Sequence, residues 1–178
     1  MPNWCNNTIT ITGDVDTLSQ LKPVIESGEG LLQAIRPMPR ELEGTTSPSV
    51  SGDDWYSWRV ANWGTKWDVS TEGLEYTDNG DGTASIEGWF DTAWSPPIDA
   101  MQQLADDWDS CYIELMYEEG GMCFVGCWDS EGADEHYEYG VADSKTIRDV
   151  IPEYLVDQFA LDERLAEYED EEEEMSDA

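Results

Sequence analysis

Asn6-Asn7-Thr8-Ile9-Thr10-Ile11-Thr12-Gly13 alternates apolar and polar side chains at period two and stops at a glycine. That pattern is a half-buried β-strand, with the isoleucines on one face and the threonines on the other. Downstream, Asp14 or Asp16 can cap a helix running to about Ser27, with Leu18, Leu21, Val24 and Ile25 on one side and Gly28 as its stop. Pro23 interrupts it, so the helix is expected to kink or to start late. Leu74–Thr77 and Thr83–Phe90 read as two strands joined through Asp78-Asn79-Gly80-Asp81-Gly82, a turn rich in Asn-Gly and Asp-Gly. The frame does not fit a calcium loop, which needs ligands at alternating positions and a glutamate at position twelve.

Trp94-Ser95-Pro96-Pro97 leads into a helix over about Ile98–Trp108, for which Ser95 is the candidate cap. Cys111–Tyr117 alternates as a strand, Gly120-Gly121 turns the chain, and Met122–Trp128 pairs back. The order β-α-β-β-α-β plus one strand predicts an α+β fold, a ferredoxin-like βαββαβ sandwich with an extra edge strand. A further strand is expected near His136–Val141. Residues 1–142 form this domain, with a long irregular insert at about 31–72. Within the insert, Gly44–Asp53 is loop-like and Trp55–Trp63 can form a short helix. Residues 143–168 read as C-terminal helices, and 169–178 as an acidic, disordered tail.

Composition sets two opposing expectations. Leu, Ile, Val and Phe make up 32 of 178 residues, a share usually seen in disordered chains when charge is high. Nine Trp and eight Tyr reverse that reading, since each buries roughly 150–250 Å² and can replace aliphatic side chains in a core. Cys5, Cys111, Cys123 and Cys127 show no paired CxxC spacing, so buried thiols are expected rather than a zinc site or a disulfide framework. No apolar run approaches the roughly 18 residues of a membrane span. The start, Met-Pro-Asn-Trp-Cys, lacks the charged and apolar regions of a leader. The expectation is a soluble protein of the host-cell cytoplasm.

Five spaced motifs resemble one known family: Met1-Pro2-Asn3-Trp4-Cys5-Asn6-Asn7-Thr8, Arg36-Pro37-Met38-Pro39, Asn62-Trp63-Gly64-Thr65-Lys66-Trp67-Asp68, Phe90-Asp91-Thr92-Ala93-Trp94-Ser95-Pro96-Pro97 and Tyr117-Glu118-Glu119-Gly120-Gly121-Met122. Residues 1–128 are similar to the Api92-like family with a ferredoxin-like domain, the YubB-type proteins carried by phages, plasmids and other mobile elements. The resemblance implies the same fold and a mobile-element origin, and supplies no catalytic site. Trp63, Lys66, Trp67, Asp68, Asp91 and Trp94 could converge on a ligand. The structural alternative has Lys66 paired with an aspartate while the tryptophans pack the insert onto the sheet. No enzyme is expected: His136 is the single histidine, and neither a nucleophile elbow nor a phosphate-cradling glycine loop occurs. No catalytic residue, cofactor or metal is expected.

Charge is the strongest functional signal. Lys and Arg number 8 against 41 Asp and Glu, a formal net charge of −33. A nucleic-acid binder draws most of its affinity from Lys and Arg on phosphates, so that class is excluded, and anionic membranes are disfavoured for the same reason. Ten of the 41 acidic residues and one of the eight basic ones lie from Asp162 onward. Residues 1–161 therefore hold 31 acidic and seven basic residues, a net of −24. Between Lys66 and Lys145 stand 78 residues with twenty acids and neither Lys nor Arg. Ordinary surfaces intersperse the signs. A compact chain of this length is about 40 Å across, and duplex DNA carries about 24 charges over that distance. The body charge is of the same order.

The function these numbers favour is a DNA mimic. It would bind and inhibit a basic nucleic-acid-binding host protein, and given a mobile-element origin that partner would be a defence protein such as a restriction or CRISPR nuclease. Salt adaptation and an acidic scaffold without mimicry are the alternatives. The expected contact surface is Asp106, Asp107 and Asp109 at a helix C-terminus, Glu118 and Glu119 in a hairpin turn, and Asp129, Glu131, Asp134, Glu135 and Glu138 beyond it. A helix C-terminus is an unfavourable place for negative charge, which makes the first three conspicuous.

Overall fold

The computed structural model describes residues 3–50 and 52–176. The opening strand is β1 (Trp4–Asp14), with Cys5, Asn7, Ile9 and Ile11 buried along one face. Helices α1 (Val15–Leu18), α2 (Lys22–Ser27) and α3 (Leu31–Ile35) follow, then a 3₁₀ turn at Arg40–Leu42 and α4 (Trp55–Trp63). The hairpin of β2 (Leu74–Asp78) and β3 (Thr83–Ala93) leads into α5 (Ile98–Asp107). Strands β4 (Tyr112–Glu119), β5 (Phe124–Asp129) and β6 (Asp134–Glu138) precede α6 (Ile147–Val150), α7 (Glu153–Phe159) and α8 (Leu161–Ser176). All six strands form one antiparallel sheet in the order β2-β3-β1-β4-β5-β6. The first four are the two interleaved β-α-β units of a ferredoxin-like sandwich, and β5 and β6 extend it by hairpins.

The pleat sends alternate side chains to opposite faces, and helices cover both. On one face Ile9, Ile11, Ile86, Phe90, Ile113, Leu115 and Trp128 pack against Leu18, Leu31, Leu32, Met101 and Leu104 from α1, α3 and α5. On the other, Val125, Cys127 and Tyr139 pack against Ile147, Ile151, Leu155, Val156 and Leu161 from the C-terminal helices. Gly126 permits the close packing of β5: a Cβ there would lie 2.4 Å from the Tyr117 hydroxyl and 2.3 Å from the Glu135 carbonyl.

Several expectations are corrected. The helix expected over 14–27 is two helices, because Pro23 lacks the N–H a continuous helix needs and sits in the first turn of α2. The 31–72 insert is irregular over most of its length, with three short helical segments, yet it is built into the core: Leu31, Leu32, Ile35, Met38, Trp63 and Val69 are buried, and Trp63 Nε1 donates to the Arg36 carbonyl at 2.8 Å. Asp54 caps α4, and Asp68 caps α3 by accepting from Leu32 N at 2.8 Å and Gln33 N at 3.1 Å. Ser95 does not cap α5. Its hydroxyl donates to the Gly64 carbonyl, and the N-cap position is Pro97. The segment expected as a tail from Glu169 continues α8 to Ser176, and Glu169 accepts from Ser144 N and Oγ at 2.7 and 2.8 Å. Residues 177–178 lie outside the described residues.

Tryptophan carries less of the core than its number predicts. Trp63 and Trp128 are buried, but Trp4, Trp89 and Trp94 are 49%, 61% and 41% exposed. Aliphatic residues fill most of the interior.

Candidate functional site

The sheet topology brings the ends of six strands to one edge. β1 ends at Asp14 opposite Thr83, where β3 begins; β2 ends at Asp78; β4 begins at Tyr112 opposite Thr12; β5 ends at Asp129; and β6 begins at Asp134. Helix α5 returns from the far end of β3, so Asp106 and Asp107 in its last turn arrive at the same edge. The outcome is an acidic rim of Asp14, Asp78, Asp81, Asp106, Asp107, Asp109, Asp129, Glu131 and Asp134.

Local hydrogen bonds fix many of these carboxylates in place. Asp14 caps α1, accepting from Thr17 N at 2.9 Å and Thr17 Oγ1 at 2.7 Å. Asp81 Oδ1 accepts from Thr83 Oγ1 at 2.6 Å and Thr83 N at 3.0 Å. The threonine hydroxyl is the main cause that holds both acids below the usual carboxylate range. Asp78 accepts from Gly80 N at 2.9 Å. Asp129 Oδ1 takes the N–H groups of Glu131, Gly132 and Ala133 at 2.8, 2.8 and 2.9 Å, which shapes the β5–β6 turn. At the helix end, where the macrodipole opposes negative charge, Gln102 donates to Asp106 at 3.0 Å and Gln103 to Asp107 at 3.1 Å. Asp106, Asp109 and Glu131 line a shared concavity of about 380 Å³ with Gln102, Ser110 and Tyr112. Among the described residues no rim carboxylate forms an ion pair. The ion pairs there run instead from Lys22 to Glu26, from Arg148 to Glu153, Asp157 and Asp162, and from Arg164 to Glu118.

The ten acids expected to form one surface therefore divide. Asp106, Asp107, Asp109, Asp129, Glu131 and Asp134 gather on the rim. Glu118 and Glu119 are withdrawn from solvent, at 0% and 1% exposure, and sit in β4 rather than in the turn. Glu118 accepts from Asn6 Nδ2, Tyr139 OH and Arg164 Nη1 at 3.2, 2.5 and 3.0 Å. Glu119 accepts from Gly121 N and Met122 N at 2.9 and 2.7 Å and so shapes the β4–β5 turn. Glu135 is half-buried under the hydroxyls of Tyr137 and Tyr154, and Glu138 lies opposite Phe124 at the far end of β6. Sequence proximity places these four with the rim; strand direction separates Glu118, Glu119 and Glu138 from it, and the pleat turns Glu135 to the opposite face from Asp134. Of the two cap candidates Asp14 is the one that caps α1, while Asp78 closes β2 and Asp81 lies in the turn that follows. Their place on the rim follows from β1, β2 and β3 meeting there, which no local pattern encodes.

The second constellation expected from sequence also divides. Trp63 is core and Asp68 is a helix cap. Among the described residues Lys66 does not pair with an aspartate. Its ammonium lies over the rings of Trp67, Trp94 and Tyr56 at 4.6, 5.1 and 5.8 Å. His136 Nδ1 lies 3.2 Å from the Tyr117 hydroxyl. Among the described residues no three His, Cys, Asp or Glu side chains are grouped to hold a metal ion, and no helix is long and apolar enough to cross a membrane.

The family comparison agrees with this architecture. The family model described as the ferredoxin-like domain in Api92-like protein matches residues 62–177, from the end of α4 into the C-terminal segment. A crystal structure of a protein api92 from Yersinia pseudotuberculosis is 19% identical, with a TM-score of 0.39, over 62% of this chain and 40% of that one. The chain thus spans less than half the length of that protein. No curated protein matches the sequence.

Proposed function

The chain belongs to the Api92-like family with a ferredoxin-like domain, and we propose that its acidic rim serves as a decoy for nucleic acid, occupying the basic groove of a nucleic-acid-binding protein. The observation that carries this reading is a rim of nine carboxylates, several fixed by backbone and side-chain donors, none ion-paired among the described residues. Fixed, unpaired negative charges are what a groove lined with Lys and Arg selects for. The body charge of −24 supplies long-range attraction that raises the encounter rate. With the mobile-element origin that the sequence resemblance implies, the fitting partner is a host defence nuclease. The rim needs no catalytic group and no cofactor for this role.

The test is capture of partners on the immobilised chain from a nuclease-treated host lysate, with elution by salt. Retained proteins should bind nucleic acid, be displaced by a 20-base-pair duplex, and be lost when Asp106→Asn, Asp107→Asn, Asp109→Asn and Glu131→Gln are combined. Retention unchanged by both the duplex and the neutralised rim would sink the proposal.

A further inference from the structure

At the opposite end of the strands from the rim, Trp4 and Trp89 line a groove of about 410 Å³ together with Asp68, Glu72 and Asp91. Both indoles are substantially exposed. This is an unfavourable use of two large apolar rings unless something covers them. Trp4 leans on Trp67 with ring centroids 6.0 Å apart. Asp68 is committed to the α3 N-terminus. Glu72 and Asp91, by contrast, have neither a hydrogen-bond nor an ion-pair partner for their carboxylates among the described residues, and partial burial raises the Asp91 carboxyl. Among the described residues no Lys or Arg lines this groove, and the Arg164 that lines a neighbouring concavity bordered by Trp89 and Asp91 is engaged by Glu118.

The rest of the molecule shows what its aromatic surfaces hold. Arg59 lies 4.8 Å from the Trp63 ring centroid and 5.3 Å from that of Trp55. Lys66 lies over Trp67 and Trp94, and Lys22 over Tyr76. Indole faces attract cations through their quadrupole, most strongly where water is partly excluded. Among the described residues Trp4 and Trp89 carry no such cation, yet they stand beside two unpaired carboxylates.

We infer that the Trp4–Trp89–Asp91 groove is a binding site for an arginine side chain presented by a protein partner. The guanidinium would stack on indole while its N–H fork meets the Asp91 carboxylate. Arginine suits this geometry better than lysine, because its plane can stack and hydrogen-bond at once. The site goes beyond the decoy reading: it lies at the other end of the sheet and recognises one side chain rather than a charged groove.

The experiment follows the indole N–H resonances by NMR while the full chain is titrated with the capped tripeptides Gly-Arg-Gly, Gly-Lys-Gly and Gly-citrulline-Gly, and with spermine. The arginine peptide should shift the Trp4 and Trp89 signals saturably, with lysine weaker and neutral citrulline without effect. Asp91→Asn should weaken arginine binding about tenfold, and Trp89→Ala should remove it, while the Trp63 indole signal stays in place as evidence of an intact fold. Citrulline acting like arginine, spermine binding there more tightly than the peptide, or Asp91→Asn leaving affinity unchanged would each overturn the assignment. The rim-neutralised variant should titrate like the parent chain, so failure of this site and failure of the rim are read separately.

Discussion

Arg164 on α8 holds its Nη1 3.0 Å from Oε2 of Glu118, a carboxylate fully withdrawn from solvent in β4. The Tyr139 hydroxyl donates to the other oxygen, and burial followed by this bond pushes that phenol far above its usual range, so it remains a donor. Removing the cation would strand a buried charge. Arg164→Ala should therefore cost about 3–5 kcal/mol, read by chemical denaturation. Glu118→Gln should cost less, because the amide leaves no uncompensated anion.

Asp54 accepts from the N–H groups of Tyr56 and Ser57 at 3.0 Å each. Bonds led by the Ser57 N–H hold its carboxyl at about 2. A carboxyl whose folded pKa is depressed stabilises fully above its unfolded value, about 3.9, and loses that contribution as pH falls through the folded value. The stability gap between the parent chain and Asp54→Asn should be constant above pH 5 and close between pH 4 and pH 2. A gap that persists at pH 2 would contradict this origin.

Asn7 is buried between β1 and β3, and its Nδ2 reaches the Cys5 carbonyl, the Phe90 carbonyl and Thr92 Oγ1 at 2.8, 3.2 and 2.9 Å. Asn7→Ala leaves these acceptors short of a donor inside the protein. The expected loss is about 1–3 kcal/mol, measurable as a lower denaturant midpoint with an unchanged slope.

Gly88 has φ 143 and faces Gly73 so closely that a Cβ would lie 2.0 Å from the Gly73 carbonyl oxygen. Gly88→Ala should cost about 1–3 kcal/mol from the backbone conformation alone, and more from the clash. Amide exchange should localise the damage to β2 and the facing part of β3, sparing β5 and β6.

The rim predicts a particular response to salt. Raising ionic strength from 0.01 M to 0.15 M shortens the screening length from about 30 Å to about 8 Å, so the melting temperature should climb over that range and then flatten. Neutralising the rim should raise the melting temperature at low salt and shrink the climb. A protein that stays unfolded until molar salt would instead fit salt adaptation.

Much of the fold was legible. Ile9 and Ile11 declared β1, the Asn-Gly and Asp-Gly turn declared the β2–β3 hairpin, and Gly120-Gly121 declared the next reversal, because period and turn chemistry are local properties. The helix at Trp55–Trp63 was legible for the same reason. Glu118 was not: its neighbours in sequence place it beside a turn, whereas the partners that bury it, Asn6, Tyr139 and Arg164, come from three distant segments. The rim had the same difficulty. Asp106 and Asp109 announced themselves as an acidic cluster, but Asp14 and Asp81 join them through strand pairing. Lys66 misled because an unpaired lysine in an acidic chain suggests a carboxylate partner, and here three rings surround it.

The place of β1 in the sheet also constrains how the molecule assembles. It is the first strand made, yet it lies between β3 and β4, so Asn7 waits for Thr92, 85 positions on, and Asn6 for Glu118, 112 positions on. The hairpins β2–β3, β4–β5 and β5–β6 can close locally, while β1 must be threaded into a gap between two of them. Distant pairings of this kind slow folding. Until they form, an isoleucine-threonine strand is left with both edges free, the state in which this chain is most exposed to pairing with a second copy of itself.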